Sequence, residues 1–191
     1  MAMQTGDIIF MPGGPAGHIG MAYDERTVIH AQNSKNFHKE ADMQMDGGNI
    51  TYISSSRGVL MFCPPWDRIG NADARKAELQ RVADAVAAGA TYGIYRAIRL
   101  AIGSSAFGPD AYARWMKYRA RYEANKATPA NFRNPGHEVI KTVTCSEAVI
   151  VCYQLAFPLG EAPFFIRLDG AHALPKTLTT WLGANGWASV R

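Results

Sequence analysis

The segment Thr144-Cys145-Ser146-Glu147-Ala148-Val149 puts a nucleophile where a helix begins. Thr144 can cap the helix by accepting a hydrogen bond from a free backbone N–H, and Glu147, three residues on, can reach back in the same way. Cys145 then occupies the first helical position, where the positive end of the macrodipole favours a thiolate. The thiolate is the reactive form, so this spacing predicts an activated cysteine, which needs a base and a group to orient that base. Of the five histidines, two sit on strand-like runs: His18 in Gly17-His18-Ile19-Gly20-Met21-Ala22-Tyr23, and His30 in Thr27-Val28-Ile29-His30-Ala31. Alternation places His18 on one face with the small residues Gly20 and Ala22, leaving room for a neighbouring element. A short hairpin would set His18 and His30 side by side on that face, facing the helix N-terminus. His18 would take the thiol proton, and His30 would accept a hydrogen bond from the other ring nitrogen and hold its tautomer. The backbone N–H of Cys145 is the expected oxyanion donor. Tyr92 is a candidate for the second donor or for substrate contact. Ser146 and Gly17, beside the nucleophile and the base, complete the expected substrate-binding set.

These residues need a sheet and a helix to bring them together. Gly6 to Met11 reads as a strand closed by Pro12-Gly13-Gly14-Pro15. Gly17 to Tyr23 and Thr27 to Ala31 are strands joined by Asp24-Glu25-Arg26. Residues 33–48 are polar and read as a loop. Ile50 to Ser54 and Gly58 to Cys63 are two more strands. Helices follow: from Asn71 or Asp73 to Ala88, with Leu79, Val82 and Val86 on one face; Ile94 to Ile102; Pro109 to about Asn125; the Cys145 helix to about Phe157; and Pro175 to Leu182. Residues 126–138 read as a loop, and Trp187 to Val190 as a last strand. The pattern is α+β, an antiparallel sheet with helices packed on it, in one domain over 1–191, with about 67–138 as a helical elaboration.

At 191 residues the chain is long enough for one well-filled core. No apolar run reaches the roughly 18–20 residues that span a bilayer, and the first residues do not read as a signal peptide. The expectation is synthesis in the cytoplasm. The three cysteines, Cys63, Cys145 and Cys152, do not form a disulfide framework. Cys145 and Cys152 lie roughly 10 Å apart on one helix, beyond disulfide reach. A net charge of +4 favours anionic partners weakly and does not argue for nucleic acid. The stretch Arg114 to Tyr122 is basic and aromatic. Trp115, Tyr118 and Tyr122 fall at helical spacing and pack on the body of the protein in the simplest reading; the alternative is a rim for an anionic polymer or membrane headgroups.

The histidine hairpin, Gly17 to Tyr23 followed by Val28-Ile29-His30-Ala31, resembles that of the NlpC-type cell-wall peptidases, which are papain-like cysteine enzymes. Thr144 to Val149 resembles their cysteine helix. Here the cysteine helix follows the histidine strands. That order, with Gly6-Asp7-Ile8-Ile9 opening the first strand, is similar to the circularly permuted branch, which also includes the lecithin retinol acyltransferase group. Gly89-Ala90-Thr91-Tyr92-Gly93 is similar to the Gly-x-x-Tyr segment of these enzymes, and Leu174-Pro175-Lys176-Thr177-Leu178 to their proline-led C-terminal helix. Residues 94–140 match nothing in the family pattern. The residue pattern after the cysteine departs from that of the acyltransferases, and the third triad position, often an acid in the permuted branch, is His30 here. The resemblance implies a permuted papain-like fold, a cysteine peptidase or amidase without cofactor, and an amide bond of bacterial peptidoglycan as substrate. It further implies an interbacterial toxin delivered to a target periplasm by a specialised secretion machine, with an immunity or carrier protein as partner.

Other readings stay open on the residues alone. Cys145 can pack as a small hydrophobe, as Cys63 and Cys152 are expected to do. His18 and His30 can be satisfied core histidines, or with Cys145 three ligands of a zinc ion lacking an obvious fourth; the expectation is no metal. His38, His137 and His172 read as surface residues of loops. The same triad could serve a thioesterase or acyltransferase on a lipid or acyl ester, or an isopeptidase acting on a protein. The fold could also be a binding module without activity.

Overall fold

The structure is a computed structural model that describes residues 3–12, 17–32, 35–40, 45–46, 49–50, 59–93 and 103–190. Its centre is a six-stranded antiparallel sheet. In chain order the strands are β1 (Ile8–Met11), β2 (His18–Ala22), β3 (Val28–Gln32), β4 (Lys35–Glu40) and β7 (Leu60–Cys63), with β10 (Ala188–Val190) closing the chain. Their spatial order is β10-β7-β1-β2-β3-β4. Between β4 and β7 lies a two-residue-by-two-residue hairpin, β5 (Met45–Asp46) and β6 (Asn49–Ile50). Among the described residues four α-helices follow: α1 (Ala72–Gly89), α2 (Pro109–Asn125), α3 (Cys145–Ala156) and α4 (Pro175–Ala184). A short parallel pair, β8 (Thr91–Tyr92) and β9 (Thr142–Val143), ties the end of α1 to the start of α3. The expected α+β class is the one observed.

The period-2 pattern divides the sheet into two apolar faces. Ile8, Ile19, Met21, Ile29, Ala31 and Phe62 join one buried cluster with α1 and α3. Ile9, Met11, Ala22, Val28, Met61 and Cys63 form a second cluster on the other face. α3 is buried along its whole length, Cys145 to Ala156. A mainly apolar helix belongs at the centre of a fold; the buried Ser146 and Gln154 side chains donate to backbone carbonyls, and each fully buried Val, Ile or Leu contributes roughly 1.5–3 kcal/mol. α1 presents Leu79, Val82 and Val86 to this core, the face its periodicity predicts. In α2, Trp115 and Tyr122 are buried, and the Trp115 indole N–H donates to the Gln154 carbonyl at 2.9 Å. Trp115 therefore packs on α3, whereas Tyr122 stacks on Phe132 and its hydroxyl donates to Glu78 of α1 at 2.9 Å.

Two expectations change. Residues 33–48 read as a loop, but β4 pairs with β3 in the register Val28↔Glu40, His30↔His38, and β5 and β6 form their own ladder. Backbone pairing at a sheet edge needs no apolar alternation, and charged residues suit an edge strand. The stretch 126–138 holds a short 3-10 turn, Pro129–Arg133, with Phe132 buried beneath it. The expected helix Ile94 to Ile102 and most of the expected strand Ile50 to Ser54 lie outside the described residues. Among the described residues, no helix is long and apolar enough to cross a membrane.

Candidate active site

The β2–β3 hairpin sets the histidines. The Asp24 carboxylate accepts the backbone N–H of Arg26 at 2.9 Å and of Thr27 at 2.7 Å, an Asx-type turn. The Tyr23 N–H donates to the Thr27 carbonyl at 2.8 Å and closes the loop. The resulting register opposes Gly20 to His30 and Ala22 to Val28. His18 and His30 are then diagonal neighbours on one face, within reach of each other. Gly20 makes the approach possible: a Cβ there would stand 2.9 Å from Val28 Cγ1 and 3.1 Å from His30 Cβ. The two rings meet edge to face, with Nε2 of His18 2.8 Å from Nδ1 of His30. His30 is buried and His18 half-buried. Gly17 enters β2 at φ +71°, and a Cβ there would meet the Phe10 ring at 2.6 Å, so its place is to turn the chain into His18.

Cys145 stands at the first position of α3, directly after β9. The Thr144 hydroxyl accepts the Glu147 N–H at 3.3 Å, the cap that the Thr-x-x-Glu spacing predicts. The sulfur lies against β2 at the residue after His18. The backbone N–H groups of Ile19, Ser146 and Cys145 itself all stabilise negative charge on it. Tyr92 pairs with Val143 across the β8–β9 ladder and is close enough that charge on Cys145 raises its phenol, after burial, which is the larger cause.

Three parts of the expected site are arranged differently. The imidazole pair shares the face of Gly20, Ala22 and Val28, whereas α3 packs on the opposite face, through Ile19, Met21 and Ile29. The sulfur therefore meets β2 edge-on, at the Ile19 peptide. Second, burial pushes the Cys145 thiol up, and the three backbone N–H groups offset only part of that. The helix terminus alone predicts a thiolate; burial wins, and the resting sulfur is a neutral thiol. Third, Ser146 is fully buried and its hydroxyl donates to the Ala173 carbonyl, which fastens α3 to the segment before α4. The Ile19 N–H was not among the expected groups: a backbone donor carries no residue-type signal, although its place directly after His18 follows from the strand.

The remaining cysteines are buried and reduced. Cys152 is fully buried, two turns along α3. Cys152→Ala should cost roughly 1–3 kcal/mol of stability through lost packing, whereas Cys145→Ala, at the helix end and 7% exposed, should cost less than about 1 kcal/mol. Urea unfolding of the two variants checks the order. Among the described residues no three His, Cys, Asp or Glu side chains form a metal-holding group.

Comparison with family models, with curated proteins and with solved structures finds no match.

Proposed function

We propose that the chain is a cysteine hydrolase of the circularly permuted papain-like type, cleaving an amide bond through Cys145, His18 and His30. The observation that carries this reading is the 2.8 Å contact between His18 Nε2 and His30 Nδ1, on the strand whose Ile19 N–H, one residue after His18, stabilises charge on the Cys145 sulfur. The contact engages Nε2 of His18, so Nδ1 is the nitrogen that would serve Cys145. To receive a proton there, His18 must rest as the Nε2–H tautomer and donate to His30 Nδ1. His30 is thus a positioning residue, and it also stabilises the imidazolium that forms.

Because the thiol is neutral at rest, proton transfer and attack go together. The S–H proton passes to His18 Nδ1 as sulfur bonds to the substrate carbonyl carbon. The carbonyl oxygen becomes an oxyanion, with the Cys145 backbone N–H as donor. Collapse breaks the C–N bond, and His18 returns its proton to the leaving amine. Water, deprotonated by His18, then attacks the thioester, releasing a carboxylate and restoring the thiol. Tyr92, whose phenol feels charge on Cys145, is the side chain assigned to contact the bound acyl group.

The substrate class comes from the resemblance of the two motifs to the cell-wall peptidases: an amide of the peptidoglycan stem peptide, reached by delivery into a target periplasm. Muropeptides incubated with the wild type should gain a new carboxylate and a new amine end, read by mass spectrometry. With Cys145→Ala they should stay intact. Cleavage by both proteins would overturn the assignment of the nucleophile. An untouched muropeptide set together with turnover of a fluorogenic ester by the wild type would move the substrate to acyl esters.

A further inference from the structure

His38, expected in a loop, stands on β4, and the register opposes it to His30. The pairing is unbroken there, Val28↔Glu40, Ile29↔Lys39, His30↔His38 and Ala31↔Phe37; the irregularity comes after it, between Ala31 and Gln32. Opposed residues of an antiparallel pair share a face of the sheet. His18, His30 and His38 therefore follow one another on one face across β2, β3 and β4. Glu40, two residues on from His38, is the acid at a register position of that same face. Two further titratable groups come from the elements around these strands. Tyr92 lies on β8, which packs on β3 and β4, and the Cys145 sulfur meets β2 at the Ile19 peptide. α1 and α3 join the apolar cluster of the opposite face.

We propose, resting on the hydrolase reading, that His38 is a second positioning residue, the outer member of a three-imidazole unit, His18–His30–His38, that titrates as one. In that reading His18 Nε2–H donates to His30 Nδ1 across 2.8 Å. A neutral imidazole has one N–H and one acceptor nitrogen, so His30 carries its own proton on Nε2. His30 is buried, and a buried N–H needs an acceptor. A neutral histidine at the register position opposite His30 supplies acceptor chemistry without a fixed charge. When His18 takes the Cys145 proton, the new imidazolium is then stabilised through His30 by His38 as well, because hydrogen bonds in a chain polarise one another. Such a unit takes up one extra proton readily and resists a second, since like charges on neighbouring rings repel. Glu40 is the competing group on this face, and it would bring a full negative charge in place of a neutral acceptor.

The experiment follows the imidazole C–H signals of the wild type, His38→Ala, His38→Gln and Glu40→Gln by NMR across the range in which histidine titrates. In the wild type the three rings should titrate together, in steps separated by more than about one pH unit. His38→Ala should lower the uppermost step by on the order of one pH unit, the loss of a hydrogen bond that serves a charged group. The pH profile of Cys145 alkylation should be displaced with it. His38→Gln keeps an acceptor without a titrating ring, so it should hold the uppermost step near its wild-type place with one proton fewer in the total. Glu40→Gln should leave that step unmoved. A single-site curve for His38, or His18 and His30 curves unchanged in His38→Ala, would overturn the proposal. So would an uppermost step that moves in Glu40→Gln and stays in His38→Ala. The NMR curves decide the three-ring unit without substrate, whereas alkylation of Cys145 in His18→Ala decides the hydrolase reading, so the two fail separately.

Discussion

Replacing His18 with alanine should lower kcat/KM by between about 10²- and 10⁴-fold, with the fold intact. The size of the loss follows from the state of the sulfur. Burial holds Cys145 as a thiol, so the enzyme has no standing thiolate to fall back on when its base is removed. The backbone N–H groups of Ile19, Ser146 and Cys145 remain in the variant and keep part of the stabilisation of charge on sulfur. Activity of His18→Ala should therefore recover in part as the pH rises past the ordinary thiol value of 9.0, where the proton leaves without help. His30→Ala should show a smaller loss and a displaced pH–rate profile, because it removes the partner of Nε2 and not the base. A rate–pH series on the three proteins checks both points. Identical profiles for His18→Ala and the wild type would remove His18 from the chemistry.

The largest effect on stability is expected at Asp7. This residue opens β1 and is fully buried. Its carboxylate accepts the Gln4 N–H at 2.8 Å and lies beside Cys63. Burial raises its pKa from 3.8 to about 6, against the pull of the Gln4 N–H, Cys63 and Lys76. The same contact, with burial the larger cause, pushes the Cys63 thiol up to about 12. The folded state thus holds the Asp7 proton more tightly than the unfolded chain does. Between pH 3.8 and about 6 the folded form binds more protons, so this group's contribution to stability is present below pH 3.8 and is lost as pH rises to about 6. The loss is about 3 kcal/mol, and it is flat above that window. Asp7→Asn keeps an oxygen for the Gln4 N–H and has no proton to lose. It should be more stable than the wild type at pH 7 by up to about 3 kcal/mol and should lack the fall between pH 4 and 6. Urea midpoints measured across that range decide it; parallel curves for the two proteins would contradict the burial argument.

What could be read from the chain divides along physical lines. The histidine pair was legible because alternation, a short Asx turn and a glycine at position 20 act locally, and together they set a register. The Cys145 helix was legible because Thr144 and Glu147 mark its start. The side of the sheet that receives α3 was not, because both faces of β1 and β2 are apolar: Ile8 and Ile9, or Ile19 and Ala22, give no preference. The protonation state of Cys145 was not legible either. A helix terminus and burial act on the sulfur with opposite sign, and only the packed structure shows that burial is larger. Ser146 looked like a residue beside the substrate, but its hydroxyl is fixed by the Ala173 carbonyl, a partner 27 residues away. β4 escaped notice because edge pairing is made by backbone groups.

The most direct test of the central claim needs no substrate. Iodoacetamide labelling, resolved by peptide mass spectrometry, gives the rate at Cys145 as a function of pH, with the buried Cys63 and Cys152 as internal references. Cooperation of sulfur and imidazole predicts rapid labelling of Cys145 near neutral pH, a loss of that labelling in His18→Ala, and its return only at alkaline pH. Superimposable labelling curves for the wild type and His18→Ala would show that the sulfur does not use the ring, and the hydrolase reading would fall with it.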